Sequence, residues 1–129
     1  MKHLIAAALG LWLAASPALS QDFPNRPLRM LIGFAAGGSG DIVGRIVAQP
    51  LGDALRQPLV IENRAGASGA IATEAVARAV PDGYTLLLGT VTTHSLAPTL
   101  NRKLPYDVAR DFAPVILLGS IPFRITRSR

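Results

Sequence analysis

Short apolar runs alternate along this chain with segments whose apolar residues recur at helical spacing. Runs of this length and composition are typical of strands buried on both faces of a sheet. They lie at residues 28–34, 58–63, 84–88 and 113–119. Helical segments separate the first three runs, at about residues 41–55 and 68–79. This order predicts an α/β fold with a doubly wound parallel sheet and right-handed crossovers.

The connecting segments carry local signals of their own. Pro50 interrupts the apolar face of the first helix, so a kink or a break is expected near Gln49. Ser68 is of a residue type that favours the N-cap, and it precedes the second helix. A further short helix is expected at about residues 95–100, in the longer connection before the fourth run.

The first twenty residues have the pattern of a secretory signal. A basic start is followed by an unbroken apolar run over residues 4–15, which is too short to span a bilayer, and then by Pro17 and small residues. We expect cleavage before Gln21 and a periplasmic location, with an uncleaved membrane anchor as the alternative. Residues 21–129 are enough for one modest domain and not two.

Composition limits the classes of function. The net charge is +5, but three of the basic residues stand near the end of the chain, at Arg124, Arg127 and Arg129. The other basic residues are dispersed and form no stripe that could follow phosphates, so we expect no nucleic-acid partner. The chain has no cysteine, and His94 is the only histidine after residue 20, so we expect no metal site and no cofactor.

Three loops follow the carboxyl ends of the predicted strands, where ligands of doubly wound sheets collect. They lie at residues 35–40, 64–67 and 89–93, and they are rich in small residues and nearly free of charge. The first loop precedes a helix start and suits a carboxylate or a phosphate, so Gly37, Gly38 and Ser39 are candidate contacts. Asp41 either caps this helix or accepts a hydrogen bond from a ligand amine.

The other two loops supply further candidates. Ser68 stands at another helix start, where it either binds the same kind of ligand or serves only as an N-cap. The hydroxyls of Thr90 and Thr92 are placed to orient a small polar ligand. His94 follows them, and a lone histidine of this kind is more often a packed or surface residue.

The motifs of common nucleotide-binding and hydrolytic enzymes are incomplete here. In the dinucleotide pattern G-x-G-x-x-G, Val43 stands where the third glycine belongs, although Glu62 has the spacing of a ribose-binding acid. No lysine completes a P-loop, and neither G-x-S sequence ends in the glycine of a nucleophile elbow. The sequence therefore predicts a protein that is not an enzyme. A truncated Rossmann-like nucleotide-binding enzyme domain is the alternative.

Several segments together resemble the solute-binding proteins of tripartite tricarboxylate transporters, the Bug-type family of exported bacterial receptors. The likeness runs in order and spacing over residues 24–122. The segments that carry it are PLR at 27–29, FAAGGSGDI at 34–42, ENRAGASG at 62–69, PDGYTLLLGT at 81–90, KLPYD at 103–107 and DFAPV at 111–115.

This resemblance implies a periplasmic-binding-protein-like clamshell of two lobes that closes on a small carboxylate and delivers it to membrane transporter subunits. In this family, backbone N–H groups, hydroxyls and bound water hold the ligand carboxylate. Carried over by position, the ligand-binding residues would be Gly37, Gly38, Ser39 and Asp41, followed by Ser68, Thr90, Thr92 and His94. A monomer without cofactor or metal is implied.

The sequence also departs from the family. Prolines are usual where Ala35 and Ala36 stand, and an asparagine is common where Ala97 stands. The likeness fades after Pro122, and residues 123–129 read as a divergent basic tail. We therefore expect residues 21–122 to be a partial first lobe, truncated inside that lobe and with little or no affinity by itself.

Overall fold

The computed structural model describes residues 22–101 and 103–120. The predicted signal sequence and the predicted basic tail lie outside the described residues. In chain order the strands and α-helices are β1 Leu28–Ile32, α1 Ser39–Leu55, β2 Leu59–Asn63, α2 Ala70–Ala77, β3 Thr85–Leu87 and α3 Ala97–Leu100. A 3₁₀ turn, Ala67–Gly69, precedes α2, and a π-helical turn, Thr92–Leu96, precedes α3. No helix in the described ranges combines the length and the apolar character that a membrane span requires.

The three strands form one parallel sheet in the order β2-β1-β3. The central strand β1 is the most buried element, with Leu31 and Ile32 at 1% and 0% exposure. Leu28, Met30 and Ile32 form a core with apolar residues of α1. Alternation along the strand directs Leu31 to the opposite face. The continuous apolar run predicted a strand covered on both sides, and the structure confirms it.

The sheet order places β2 and β3 on opposite sides of β1. Because crossovers between parallel strands are right-handed, the helix that leads to β2 and the helix that leads to β3 cover opposite faces. The π-helical turn after β3 contacts the 3₁₀ turn that precedes α2, whereas β1 leads into α1 on the opposite face. The neighbouring strands β1 and β3 are therefore followed by segments on different faces, as at the switch points where such sheets bind ligands. The predicted α/β, doubly wound arrangement is confirmed for these strands.

The predicted break in the first helix is wrong, since α1 continues through Pro50 to Leu55. Proline removes the N–H group that would bond the carbonyl of Ile46. Both Ile46 and Pro50 are exposed, so water can take the place of the missing donor. The helix also begins at Ser39, two residues before the predicted start at Asp41.

The predicted fourth strand at residues 113–119 is wrong as well. Residues 112–120 belong to no helix or strand, and each residue from 113 to 120 is exposed. An apolar run becomes a strand only when a neighbouring strand hydrogen-bonds to its backbone N–H and C=O groups. Within the described ranges, neither β2 nor β3 pairs with this segment.

Candidate functional site

The loop between β1 and α1 is closed by the side chain of Asp41. Its Oδ2 atom accepts a hydrogen bond of 2.9 Å from the N–H group of Gly37, which has a φ of 82° that favours glycine. Arg45, one turn further along α1, donates from Nε to both carboxylate oxygens at 3.0 Å. Asp41 is only 4% exposed. The hydrogen bond from Arg45 first, and then the one from Gly37, lower the pKa of Asp41 from 3.8 to about 2.

The last residue of β2 ties the same loop to the neighbouring strand. Asn63 donates from Nδ2 to the carbonyl of Phe34 at 3.1 Å. Its Oδ1 atom accepts from Nη2 of Arg45 at 3.5 Å. We call Asp41, Arg45 and Asn63 the loop bracket. The bracket fixes the loop backbone from two sides, from within α1 and from β2.

The bracket decides which backbone donors of this loop are free. Gly37 donates to Asp41, and Gly38 donates to the carbonyl of Ala35 at 3.3 Å. The first bond of the helix runs from Ile42 to Gly38 at 3.0 Å. The N–H groups of Ser39, Gly40 and Asp41 have no acceptor in the described parts of the chain.

These free groups lie in the first turn of a 17-residue helix, where the helix dipole adds partial positive charge. Four of the predicted site residues therefore lie together in space, but they have different roles: Gly37, Gly38, Ser39 and Asp41. The glycines shape the loop and use their N–H groups inside it. The donors that can face a ligand begin at Ser39.

The connections after β1 and β2 meet at glycines. A Cβ atom on Gly33 would lie 2.6 Å from the Cα of Gly69, and one on Gly69 would lie 2.6 Å from Cγ2 of Thr93. Gly69 also has a φ of 90°, which side chains rarely tolerate. The connections after β1 and β2 therefore pack backbone against backbone, and the connection after β3 adds the Thr93 side chain. The sequence predicted three loops at this edge but not these contacts.

Ser68 is not the N-cap of the second helix, which begins at Ala70 after Gly69. Ser68 lies in the 3₁₀ turn with a φ of 54°, and Ala67 before it has a φ of 46°. Two consecutive positive φ values on residues other than glycine store strain, of the kind that a tight packing contact can sustain. Of the two roles left open for Ser68, the N-cap is wrong, and ligand binding by its exposed side chain stays a prediction.

A hydroxyl cluster follows β3. The Oγ1 atom of Thr93, a residue 1% exposed, accepts from the N–H group of Thr90 at 2.9 Å and approaches the Thr90 carbonyl at 3.1 Å. Nδ1 of His94 lies 2.8 Å from the same oxygen. When Thr93 donates to the Thr90 carbonyl, its remaining lone pair accepts the Nδ1–H group, and Nε2 of His94 is left as an acceptor.

His94 is packed rather than free in solvent. Its ring lies 5.4 Å from that of Phe112, and a Cβ atom on Gly89 would meet it at 2.8 Å. Burial lowers the pKa of His94 below its usual 6.5, so the ring is neutral at pH 7. Thr90 and His94 both lie against the buried Thr93, which was not among the predicted site residues.

Thr92 and Ser68 face a different space. They line a cleft of about 230 Å³ whose other walls are mainly apolar, from Leu96, Ala97 and Leu100 among others. A larger groove of about 730 Å³ lies along α1 and reaches the amino end of β2 at Pro58. It holds none of the eight predicted ligand residues and lacks the strand carboxyl ends that bind ligands in such sheets, so we do not assign the site there. In the described ranges, no three His, Cys, Asp or Glu side chains group as metal ligands would.

A parallel α/β sheet with free donors at its carboxyl edge defines a lobe of the periplasmic-binding-protein-like class, and solved structures agree. The chain is 44% identical to MatC from Rhodopseudomonas palustris with bound malate, with a TM-score of 0.72 over 74% of this chain and 33% of that one. A protein solved as a periplasmic transporter is 47% identical, with a TM-score of 0.65 over 67% of this chain and 29% of that one.

The sequence comparisons identify the family. Residues 43–127 match the model of the tripartite tricarboxylate transporter family receptor, and the chain belongs to this family. BugT from Bordetella pertussis is 40% identical in an alignment of 127 positions that covers 92% of this chain. The chain spans 38% of the length of BugT and 37% of that of a similar relative from Bordetella bronchiseptica.

Proposed function

We propose that this chain supplies one wall of the carboxylate-binding cleft of an exported solute-binding receptor. The observation that carries the proposal is the set of free N–H groups at Ser39, Gly40 and Asp41, held in place by the loop bracket. Converging N–H groups at a helix start bind a carboxylate without needing a cationic side chain. Two structural relatives were solved with malate and with adipate, which are both dicarboxylates.

The function is binding and delivery without a chemical step. A ligand carboxylate would accept hydrogen bonds from the first turn of α1, and the hydroxyl of Ser39 would add one more donor. Thr90 and the neutral His94 would approach from the neighbouring strand, with Thr92 and Ser68 further along the same edge. Gly37 and Gly38 would line the loop. The receptor would then present its ligand to the membrane subunits of the transporter in the periplasm.

One wall leaves the far side of the ligand in water, so we expect the 129-residue chain to bind malate with a Kd above about 1 mM. Chemical shifts of a ¹⁵N-labelled chain, titrated with malate against sodium chloride of matched ionic strength, would measure this. The expected shifts centre on Ser39, Gly40 and Asp41. Absence of these shifts would contradict the proposed site, and micromolar binding would contradict a single wall.

Two substitutions at Ser39 separate the backbone donor from the hydroxyl. Ser39 is the first residue of α1, where proline is well accepted, and Gly38 before it has an extended conformation that proline tolerates. Ser39→Pro removes the N–H group and the hydroxyl, whereas Ser39→Ala removes the hydroxyl alone. We expect Ser39→Pro to bind malate about tenfold more weakly than Ser39→Ala, since a hydrogen bond to a charged group is lost.

Equal affinities of the two Ser39 variants would show that this backbone group does not bind the ligand. Titration with NAD serves as the control for the alternative of a nucleotide-binding enzyme domain. Saturable shifts with NAD and none with malate would favour that alternative.

A further inference from the structure

The loop bracket places a negative charge beside the free donors. Asp41 belongs to the same first turn of α1 as Ser39 and Gly40, and its carboxylate lies against the loop at Gly37. An unpaired carboxylate there would repel an anionic ligand and attract an ammonium group. The loop can favour a carboxylate only if this charge is compensated.

Arg45 provides the compensation. Its Nε group contacts both oxygens of Asp41 at 3.0 Å, and the Asp41 side chain is 6% exposed whereas the Arg45 side chain is 56% exposed. The guanidinium therefore covers the carboxylate from the solvent side. Asn63 accepts from Nη2 at 3.5 Å and helps to orient the guanidinium, although the contact is long.

The oxygens of Asp41 are also engaged as acceptors. Oδ2 receives both the Gly37 N–H group and the Nε group of Arg45, and Oδ1 receives the latter as well. A ligand amine would have to displace Arg45 to reach them. The sequence left open whether Asp41 binds a ligand amine, and these contacts oppose that role.

We propose that Arg45 determines specificity by neutralising Asp41, so that the β1–α1 loop selects a carboxylate ligand without favouring an α-amino group. The inference rests on the proposed function, because it assumes that a ligand binds at the first turn of α1. Arg45 is a positioning residue in this account and does not touch the ligand. Its removal would turn the same loop toward amino acids.

Malate and aspartate form a matched pair of probes, since they share a carbon skeleton and differ by a hydroxyl against an ammonium group. The measurement is the ratio of their Kd values for the 129-residue chain, from ¹⁵N chemical shifts at equal ionic strength. We expect Arg45→Gln to lower the Kd of aspartate relative to the Kd of malate by about tenfold, since it leaves Asp41 charged and unpaired. Arg45→Lys retains the positive charge and should keep the ratio close to that of the unmodified chain.

A double variant distinguishes charge from structure. Asp41→Asn combined with Arg45→Gln removes both charges, so we expect it to restore the preference of the unmodified chain. If the role of Arg45 were purely structural, its substitution would weaken the binding of malate and of aspartate equally. The ratio of the two Kd values would then stay unchanged in every variant. That result would overturn the inference.

The failures of the two proposals are distinguishable. If malate leaves the first turn of α1 unshifted in the unmodified chain, the proposed function is wrong and the inference falls with it. If malate binds there and Arg45→Gln keeps the ratio, only the inference is overturned. Should Arg45→Gln fail to fold, the single variant Asp41→Asn tests the same inference. The inference requires that this variant lowers the Kd of malate relative to the Kd of aspartate.

Discussion

At the scale of single residues, the candidate site depends on which polar groups are already engaged. The sequence identified Gly37, Gly38, Ser39 and Asp41 as one set, and the structure divides that set by hydrogen bonding. The N–H group of Gly37 and the carboxylate of Asp41 hold each other, so both serve the shape of the loop. The same logic applies to His94, whose Nδ1 atom lies against Thr93.

The lowered pKa of Asp41 makes a residue-scale prediction about pH. The pKa of Asp41 is about 2 in the folded chain, whereas its ordinary value is 3.8. The ionised carboxyl group therefore stabilises the fold at pH values above 3.8. That contribution is lost as the pH falls toward the lower value, because the unfolded chain takes up a proton at this carboxyl group while the folded chain keeps it ionised. We expect Asp41→Asn to be less stable than the unmodified chain at pH 6, with a difference that shrinks between about pH 4 and pH 2.

Urea denaturation across this pH range would measure the difference in free energy of unfolding. Asp53→Asn is the matched control, because Asp53 is an exposed aspartate of the same helix. A difference for Asp41→Asn that is as large at pH 2 as at pH 6 would contradict the ion pair as the source of the stabilisation.

At the scale of elements, the carboxyl edge is assembled by close backbone contacts between connections. Gly33 directly follows β1, and Gly69 directly precedes α2; each leaves no room for a side chain. The glycine content of the loops predicted tight turns, but it could not show that Gly33 faces Gly69. Such contacts join segments far apart in the chain, and they set the distance between the donors of α1 and the cluster of Thr90 and His94.

Gly69→Ala tests this packing. Its Cβ atom would lie 2.6 Å from Cγ2 of Thr93 and would require a φ of 90°, so we expect a loss of about 2–3 kcal/mol in the free energy of unfolding. Gly119→Ala is the control, since no atom lies within 4 Å of its Cβ position, and it should change stability by less than about 0.5 kcal/mol. Urea denaturation of both variants gives the comparison. Equal effects would show that the loops accommodate a side chain at Gly69.

At the scale of the whole molecule, the described chain has a small core and a large exposed apolar segment. Eight apolar residues are buried, mostly on β1 and its neighbours. Val115, Ile116 and Leu117 are 82%, 75% and 83% exposed, and they follow one another in the sequence. A contiguous apolar surface of this kind favours association.

We therefore expect the 129-residue chain to self-associate as its concentration rises. Leu117→Lys should weaken this association by about tenfold, since it removes one large apolar side chain from the contact. Val80→Lys is the control, because Val80 is 72% exposed but lies far from this segment in the sequence. Sedimentation velocity at several concentrations would measure both variants. A single monomeric species at every concentration would contradict the prediction and support the monomer expected from the sequence.

The sequence by itself predicted most of the elements and the edge of the sheet at which we place the candidate site. Apolar runs and helical spacing are local properties, so they predicted β1, β2, β3 and the helices between them to within a few residues. The order of these elements then predicted a parallel sheet with its loops at one edge. Arg45 stands four residues after Asp41, so their pairing on one helix face could also have been found in the sequence.

Only the tertiary structure decided which residues of the separate connections contact one another at the carboxyl edge. The bond from Asn63 to Phe34 and the contact of Gly33 with Gly69 join residues far apart in the chain, and no local pattern encodes them. The same reason explains why the predicted fourth strand was wrong. An apolar segment can form a strand, but it does so only when a neighbouring strand hydrogen-bonds to its backbone. Local chemistry thus defined the elements and the hydrogen bonds inside the first loop, while long-range contacts decided how the three connections meet at the edge of the sheet.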